Sequence, residues 1–145
     1  MITLRKINMD NFKLVLNLEL DEMDQKMVAP NMYSLAEAYA DQVSICRGIY
    51  HDDALVGFIM YDYNEKEQCG YISRLMVDRK HQRKGYAKAA LSLALEHLKT
   101  YEGINKIQIS YEPNNIKAKS LYEALGFIEN GKVVDDETVA IIELK

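Results

Sequence analysis

The chain has 145 residues, 48% of them apolar, with a formal net charge of −4 and two cysteines. The length predicts one domain over residues 1–145. The apolar share suffices for a packed core, which excludes a disordered chain or a disulfide scaffold, and the negative charge argues against a general nucleic-acid binder.

Residues Ile2 to Ile7 alternate as a first strand, and Asp10 is positioned to cap a helix carrying Phe12, Val15, Leu16 and Leu18. Asp21 to Tyr33 has a poor period and contains Pro30, so it reads as a loop or broken helix. Ser34-Leu35-Ala36-Glu37 has the form of a capping box opening a short helix toward Asp41. Two apolar runs, Val43 to Tyr50 and Leu55 to Tyr63, flank His51-Asp52-Asp53-Ala54 as a hairpin, with Gly57 a candidate bulge. A further strand, Cys69 to Val77, follows the polar turn Asn64–Gln68. The clearest helix starts near Gly85: Ala87, Ala90, Leu91, Ala94, Leu95 and Leu98 form one apolar stripe, which Gly103 ends. Ile104 to Tyr111 alternates as a strand. Pro113 and Asn114 open a second helix with Ala118, Leu121, Tyr122 and Leu125, stopped at Gly126. Phe127–Asn130 and Val139–Leu144 are closing strands around a turn at Asp135-Asp136. This order predicts an α+β fold, a mostly antiparallel sheet followed by alternating strands and helices.

The N-terminus lacks the apolar run of a signal peptide and no window reaches the length of a membrane span, so a cytoplasmic protein without a membrane partner is expected. Cys46 and Cys69 stand singly in apolar segments and read as reduced core residues. His51, His81 and His97 show no ligand spacing, so no metal is expected; they read as turn, anion-loop and helix-surface residues.

Charge is unevenly distributed. Arg74, Arg79, Lys80, Arg83, Lys84 and Lys88 surround the single acid Asp78, whereas Glu19, Asp21, Glu22 and Asp24 form an acidic run. Leu75-Met76-Val77 leads through Asp78–Lys84 into the best helix at Gly85, an arrangement suited to a pyrophosphate. A helix start offers unpaired N–H groups and a positive dipole end, glycine lets an anion approach the backbone, and Arg83 and Lys84 add charge-assisted bonds. The glycine patterns of a P-loop and of a dinucleotide fold are both missing.

What stands there is Gln82-x-x-Gly85-x-Ala87, and further on Asn115-x-x-Ala118-x-x-Leu121-Tyr122-x-x-x-Gly126-Phe127. In these two motifs, at this separation and order, the chain resembles the GNAT acetyltransferase superfamily. The resemblance implies a mixed, mostly antiparallel sheet of about seven strands in a layered α+β fold. That sheet would be splayed between its fourth and fifth strands, with helices on both faces. It implies acetyl-CoA as co-substrate, with Leu75, Met76 and Val77 pairing with the pantetheine arm. The loop Gln82, Arg83, Lys84, Gly85, Tyr86, Ala87 and Lys88 would hold the pyrophosphate, Asn115 and Ala118 would lie near the thiol end, and Tyr122 would be the general acid. From periodicity alone Tyr122 is a core tyrosine. The general base is left open among Glu112, Glu19, Glu22 and Glu37.

The stretch Gln25–Tyr39 and Val56–Tyr61 look like the bacterial spermine/spermidine (diamine) acetyltransferase branch, which implies a polyamine acceptor. Glu22 and Glu37 would attract its charges, and Tyr33 and Tyr39 would pack on its methylenes. Other amines (protein N-termini, aminoglycosides, amino-acid-like metabolites) and a non-catalytic acetyl-CoA-binding regulator are the alternatives. Edge strands near the C-terminus are compatible with a homodimer.

Overall fold

The computed structural model describes residues 1–25 and 29–144; part of the stretch Gln25–Tyr39, residues 26–28, lies outside them. Seven strands form one sheet in the order β1-β2-β3-β4-β5-β7-β6. β1 (Ile2–Lys6), β2 (Ile45–His51), β3 (Ala54–Asn64) and β4 (Cys69–Val77) make an antiparallel meander. β5 (Lys106–Tyr111) runs parallel to β4, and β7 (Glu137–Glu143) pairs antiparallel with both β5 and the edge strand β6 (Ile128–Val134).

The two faces are covered differently. α1 (Phe12–Leu16), the single turn α2 (Glu22–Gln25) and α3 (Asn31–Asp41) precede β2. On the face covered by α1 and α3, Val15 packs with Phe58, Met60 and Met76. On the other face α4 (Tyr86–Leu98) and α5 (Ile116–Ala124) cover the main core, where Leu91, Ala94 and Leu98 meet Ile59, Tyr61, Ile72, Ile107 and Ile109. The alternation of strand side chains thus separates residues 58, 60 and 62 of β3 from 59, 61 and 63.

Several element boundaries differ from the sequence reading. α3 begins at Asn31, not Ser34. The buried Asn31 donates from Nδ2 to the Val15 carbonyl, and Ser34 Oγ donates back to the Pro30 carbonyl, so no capping box forms. α1 follows Asn11 rather than Asp10: Asn11 accepts from the Asn8 amide and donates to the Lys6 carbonyl and Tyr50 Oη, bracing the loop. α4 stops at Leu98, ahead of Gly103, and β5 starts at Lys106. β6 extends to Val134, and Asp135 and Asp136 form the turn with φ of 50° and 65°. The β2–β3 bulge falls at Val56, beside Gly57, where Ile49 pairs with Gly57 and Tyr50 with Leu55. Gly57 serves close packing instead, since a Cβ there would overlap the Met76 carbonyl. His97 is half-buried rather than fully on the helix surface: its Nδ1 lies 2.7 Å from Tyr61 Oη. Cys46 and Cys69 are both free thiols. No helix among the described residues is long and apolar enough to cross a membrane.

Candidate active site

The sheet opens where β4 and β5 part. Their parallel pairing covers Cys69, Gly70, Tyr71 and Ile72 against Lys106, Ile107, Gln108 and Ile109, and ends there. The break coincides with a bulge: Met60 pairs with Arg74 and Tyr61 with Ile72, which leaves Ser73 unpaired on β4. A bulge bends its strand and increases local twist, so it turns Ser73–Val77 away from β5. The resulting cleft, about 1130 Å³, reaches both faces of the sheet. This is the splayed sheet that the resemblance implies.

One end of the cleft is the loop between β4 and α4. Asp78, 8% exposed, accepts hydrogen bonds from the amides of Lys80 at 3.0 Å and Glu19 at 2.9 Å. Gln82 Nε2 donates to the Val77 carbonyl at 3.0 Å, which folds the loop back on the end of β4. Arg83 and Gly85 then take φ of 65° and 80°, in the left-handed region where glycine alone is unstrained. A Cβ on Gly85 would meet no protein atom within 4 Å, so its conformation and the open space beside it call for glycine, whereas packing does not. No side chain caps α4, and its first internal bond runs from the Ala89 amide to the Gly85 carbonyl. The amides of Tyr86, Ala87 and Lys88 are therefore the open donors of a helix start, which with Arg83 and Lys88 beside them fit a pyrophosphate.

The middle of the cleft carries Tyr122. Its ring packs against Tyr111 and Phe127 at 5.4 and 6.0 Å between centroids, and the residue is 9% exposed. Burial, followed by the charge of Glu137, raises its phenol from the ordinary 10.0 to about 12. Asn115 caps α5, its Oδ1 accepting from the Ala118 amide at 3.1 Å. The family motif thus places Asn115, Ala118 and Tyr122 on one wall of the cleft.

Across the sheet lies an acidic face. Glu37 is there, but its Oε1 accepts from Arg74 Nη2 at 3.4 Å, so its charge is already matched. Arg74 Nη1 donates to the Ser73 carbonyl, while its buried Nε has no partner among the described residues. Asp41 accepts from the amides of Val43 and Ser44 and from Ser44 Oγ. Asp24 pairs with Lys117 at 3.6 Å. Asp62, on the same face, is half-buried. Burial first, then the charges of Asp41 and Glu67, push its carboxyl above the usual carboxylate range.

Of the residues singled out in the sequence, the cleft wall includes Leu75, Met76, Val77, Gln82, Arg83, Gly85, Tyr86, Ala87, Lys88, Asn115, Ala118, Tyr122, Glu37 and Glu112. Lys84 and Glu22 are not on that wall. Tyr33 and Tyr39 are 59% and 80% exposed and do not reach it either. Glu19 pairs with Arg79 at 3.1 Å, outside the cleft. His81 is on the wall, whereas His51, at the end of β2, stacks on Tyr86 at 4.9 Å. The sequence analysis singles out neither Asp62 nor the Arg74–Glu37 pair. Asp62 is the one charge inside the run Leu55–Tyr63, a signal visible in the sequence; the pair joins residues 37 apart in the chain and has none. Among the described residues no group of three or more His, Cys, Asp or Glu is placed to hold a metal ion.

A parallel β4–β5 pair that splits over an open helix start, with a tyrosine on the facing helix, defines a class of acyl-transfer site. The profile of the Acetyltransferase (GNAT) family matches residues 6–127, and the chain belongs to that family. It is 29% identical over 150 residues to the spermine/spermidine N(1)-acetyltransferase of Bacillus subtilis (strain 168), covering 99% of each chain. Among solved structures it resembles spermidine N-acetyltransferase from Vibrio cholerae in complex with CoA and spermine, with a TM-score of 0.73 and 20% identity over 98% of this chain and 95% of that one. It also resembles Mycobacterium smegmatis RimJ in complex with CoA-disulfide, with a TM-score of 0.79 and 18% identity over 99% and 82%. The backbone likeness extends beyond proteins named for polyamines, so it carries the fold and leaves the acceptor to other arguments.

Proposed function

We propose that this chain is an N-acetyltransferase that moves the acetyl group of acetyl-CoA to a primary amine of a polyamine such as spermine or spermidine. The observation that carries the reading is the cleft itself, which joins an open helix start and Tyr122 on one face of the sheet to an acidic face on the other. Full-length similarity to a curated spermine/spermidine acetyltransferase supports the acceptor class. Acetyl-CoA supplies the activated acetyl thioester. The β4 edge at Leu75, Met76 and Val77 offers backbone groups to a pantetheine arm, and the amides of Gly85 to Lys88, with Gln82 bracing the loop, hold the pyrophosphate. Arg83 and Lys88 add charge to that end. Asn115 and Ala118 flank the thiol end.

Tyr122 is the proton donor. A phenol raised to about 12 stays protonated at every physiological pH, so it is always able to donate to the departing thiolate. Acceptor cations are drawn to the face bearing Asp41 and Asp62. Because Arg74 already matches Glu37, that residue shapes the wall and adds little net attraction. Incubating the protein with acetyl-CoA and a panel of amines, and following release of free CoA thiol, tests the reading. Spermidine and spermine should be turned over with kcat/KM far above that of a neutral-bodied monoamine. Equal rates for the two kinds of amine would remove the polyamine assignment, and no release with any amine would remove the enzyme.

A further inference from the structure

The carboxylates on the acceptor face are occupied by protein partners with few exceptions, and one exception sits beside the split. Asp62 alternates with Phe58 and Met60 and so shares the face covered by α1 and α3. Its partner on β4 is Tyr71, whose partner on β5 is Gln108. This row immediately precedes the last bonded pair, Ile72 with Ile109, so Asp62 stands two strands from the point where β4 and β5 separate. Adjacent strands lie about 4.8 Å apart, which puts the β3 backbone roughly 10 Å from β5 across that row.

The groups around Asp62 do not neutralise it. Asp41 from α3 and Glu67 from the β3–β4 turn act on it with like charge. Arg74 of β4 is bound to Glu37 of α3. Lys106 of β5 pairs in register with Cys69 of β4, one row beyond, and acts on that thiol, whose pKa burial raises, but makes no ion pair with Asp62. Tyr71 Oη is turned to Glu67, to which it donates at 2.9 Å. Cys46 of β2 is held protonated, its thiol pushed up to about 11 chiefly by burial. Lys117 is with Asp24. Asp62 has no hydrogen bond or ion pair among the described residues, although it is half-buried and the charges acting on it, Asp41 and Glu67, are of like sign. A carboxylate in that position is costly unless a cation arrives to meet it.

We propose that Asp62 is the catalytic carboxylate on which the reacting ammonium docks and to which it gives up its proton. This rests on the acetyltransferase reading above. The ammonium transfers one proton to a carboxylate oxygen of Asp62, which later returns it to water at the cleft mouth. The freed nitrogen lone pair forms the N–C bond as the C–S bond breaks. The second nitrogen proton replaces the one that Tyr122 gives to the thiolate. The products are the acetamide, CoA thiol and one released proton. Before the amine arrives, burial and the like charges of Asp41 and Glu67 hold the Asp62 carboxyl above the usual range. Partial removal of the ammonium from water lowers its own pKa, which offsets the ion pairing that opposes the transfer.

The test is Asp62→Asn, which keeps size and shape, with Asp62→Glu as the conservative comparison. Each is assayed with spermidine and acetyl-CoA from pH 7 to 10. At pH 7, kcat/KM for spermidine should fall by about 100-fold or more in Asp62→Asn, the ordinary worth of a general base. The KM for acetyl-CoA should stay within about twofold, because that site lies on the opposite face. The deficit should narrow toward pH 10, where solvent supplies free amine, and Asp62→Glu should recover part of the loss. Thermal melting serves as the folding control. Since the fold raises the Asp62 pKa, ionising this group costs stability as pH rises through its folded value, so Asp62→Asn should melt no lower than the wild type at neutral pH. A deficit below about threefold, or one unchanged between pH 7 and 10, overturns the assignment while leaving the enzyme reading intact. A pH-dependent loss in Glu112→Gln but not in Asp62→Asn would move the base to Glu112. A wild type inert toward every polyamine would overturn the acceptor reading itself, a distinct result.

Discussion

Tyr122 shows how one side chain can satisfy packing and still be free for chemistry. Its ring is held between Tyr111 and Phe127, while the residue lines the cleft and its hydroxyl has no hydrogen-bond partner among the described residues. Tyr122→Phe should therefore leave stability within about 0.5 kcal/mol, as for substitutions that break no partnered group. Loss of a general acid is worth about 10²–10⁴-fold, so kcat should fall in that range while acetyl-CoA still binds. The neutral phenol is the form the fold favours. The stability it confers is present below the ordinary 10.0 and is lost as pH rises through about 12. A descending limb of kcat between pH 7 and 10 thus belongs to another group and should persist in whatever activity Tyr122→Phe retains. A turnover within about threefold of wild type, measured where chemistry limits the rate, makes Tyr122 a packing residue only.

At the scale of elements, the β4–α4 junction is the part of the site most legible in the sequence, because local backbone demands write themselves into residue type. Gly85 is glycine because of its φ of 80°, and Asn115 is asparagine because it caps α5. The acceptor face was less legible. Whether Glu37 is free or paired depends on a strand 37 residues away, and whether Asp62 meets the cleft depends on which face of β3 it takes past the bulge at Val56. The sequence shows Glu19–Asp24 as one acidic run, yet Glu19 and Asp24 fold into ion pairs with Arg79 and Lys117. Tyr33 and Tyr39 share the helix of Glu37, but periodicity cannot tell which helix face meets a cleft.

Two substitutions test the junction. Gly85→Val forces a β-branched residue into the left-handed region at a cost of about 1–2 kcal/mol and fills the open space beside the helix start. Acetyl-CoA affinity by calorimetry should fall by about 100-fold or more, roughly 2.7 kcal/mol; wild-type affinity would displace the proposed pyrophosphate site. Asp78→Ala removes a buried carboxylate that holds the Lys80 and Glu19 amides. Urea unfolding should show about 1.5–3 kcal/mol lost, the range for hydrogen bonds to a charged group, with the KM for acetyl-CoA raised as the loop loosens. A KM unchanged alongside the stability loss would mean that Gln82 alone positions the loop.

The molecule as a whole is one sheet whose two halves share a short seam. β1–β4 on one side and β5–β7–β6 on the other are joined by four register pairs, Cys69–Ile72 with Lys106–Ile109, and by the core beneath α4 and α5. Beyond the seam the β4 edge from Ser73 to Val77 has no β5 partner, so its outward backbone groups depend on solvent or a ligand. A ligand that pairs with this edge and rests on the α4 start stabilises the fold by mass action, about 2.7 kcal/mol at 100 times its Kd. For a chain of this size that corresponds to a rise of roughly 5–10 °C in Tm. The rise should be absent in Gly85→Val. Hydrogen–deuterium exchange should locate it: with CoA bound, amides of Ser73–Val77 and Tyr86–Lys88 should gain protection. β1 and β6, at the outer edges of the sheet, should exchange as before. Protection spread evenly over the sheet would signal global stabilisation without occupancy of the split. Protection concentrated on β6 would place the ligand or a second copy at the edge, and either outcome would separate the cleft from the cofactor.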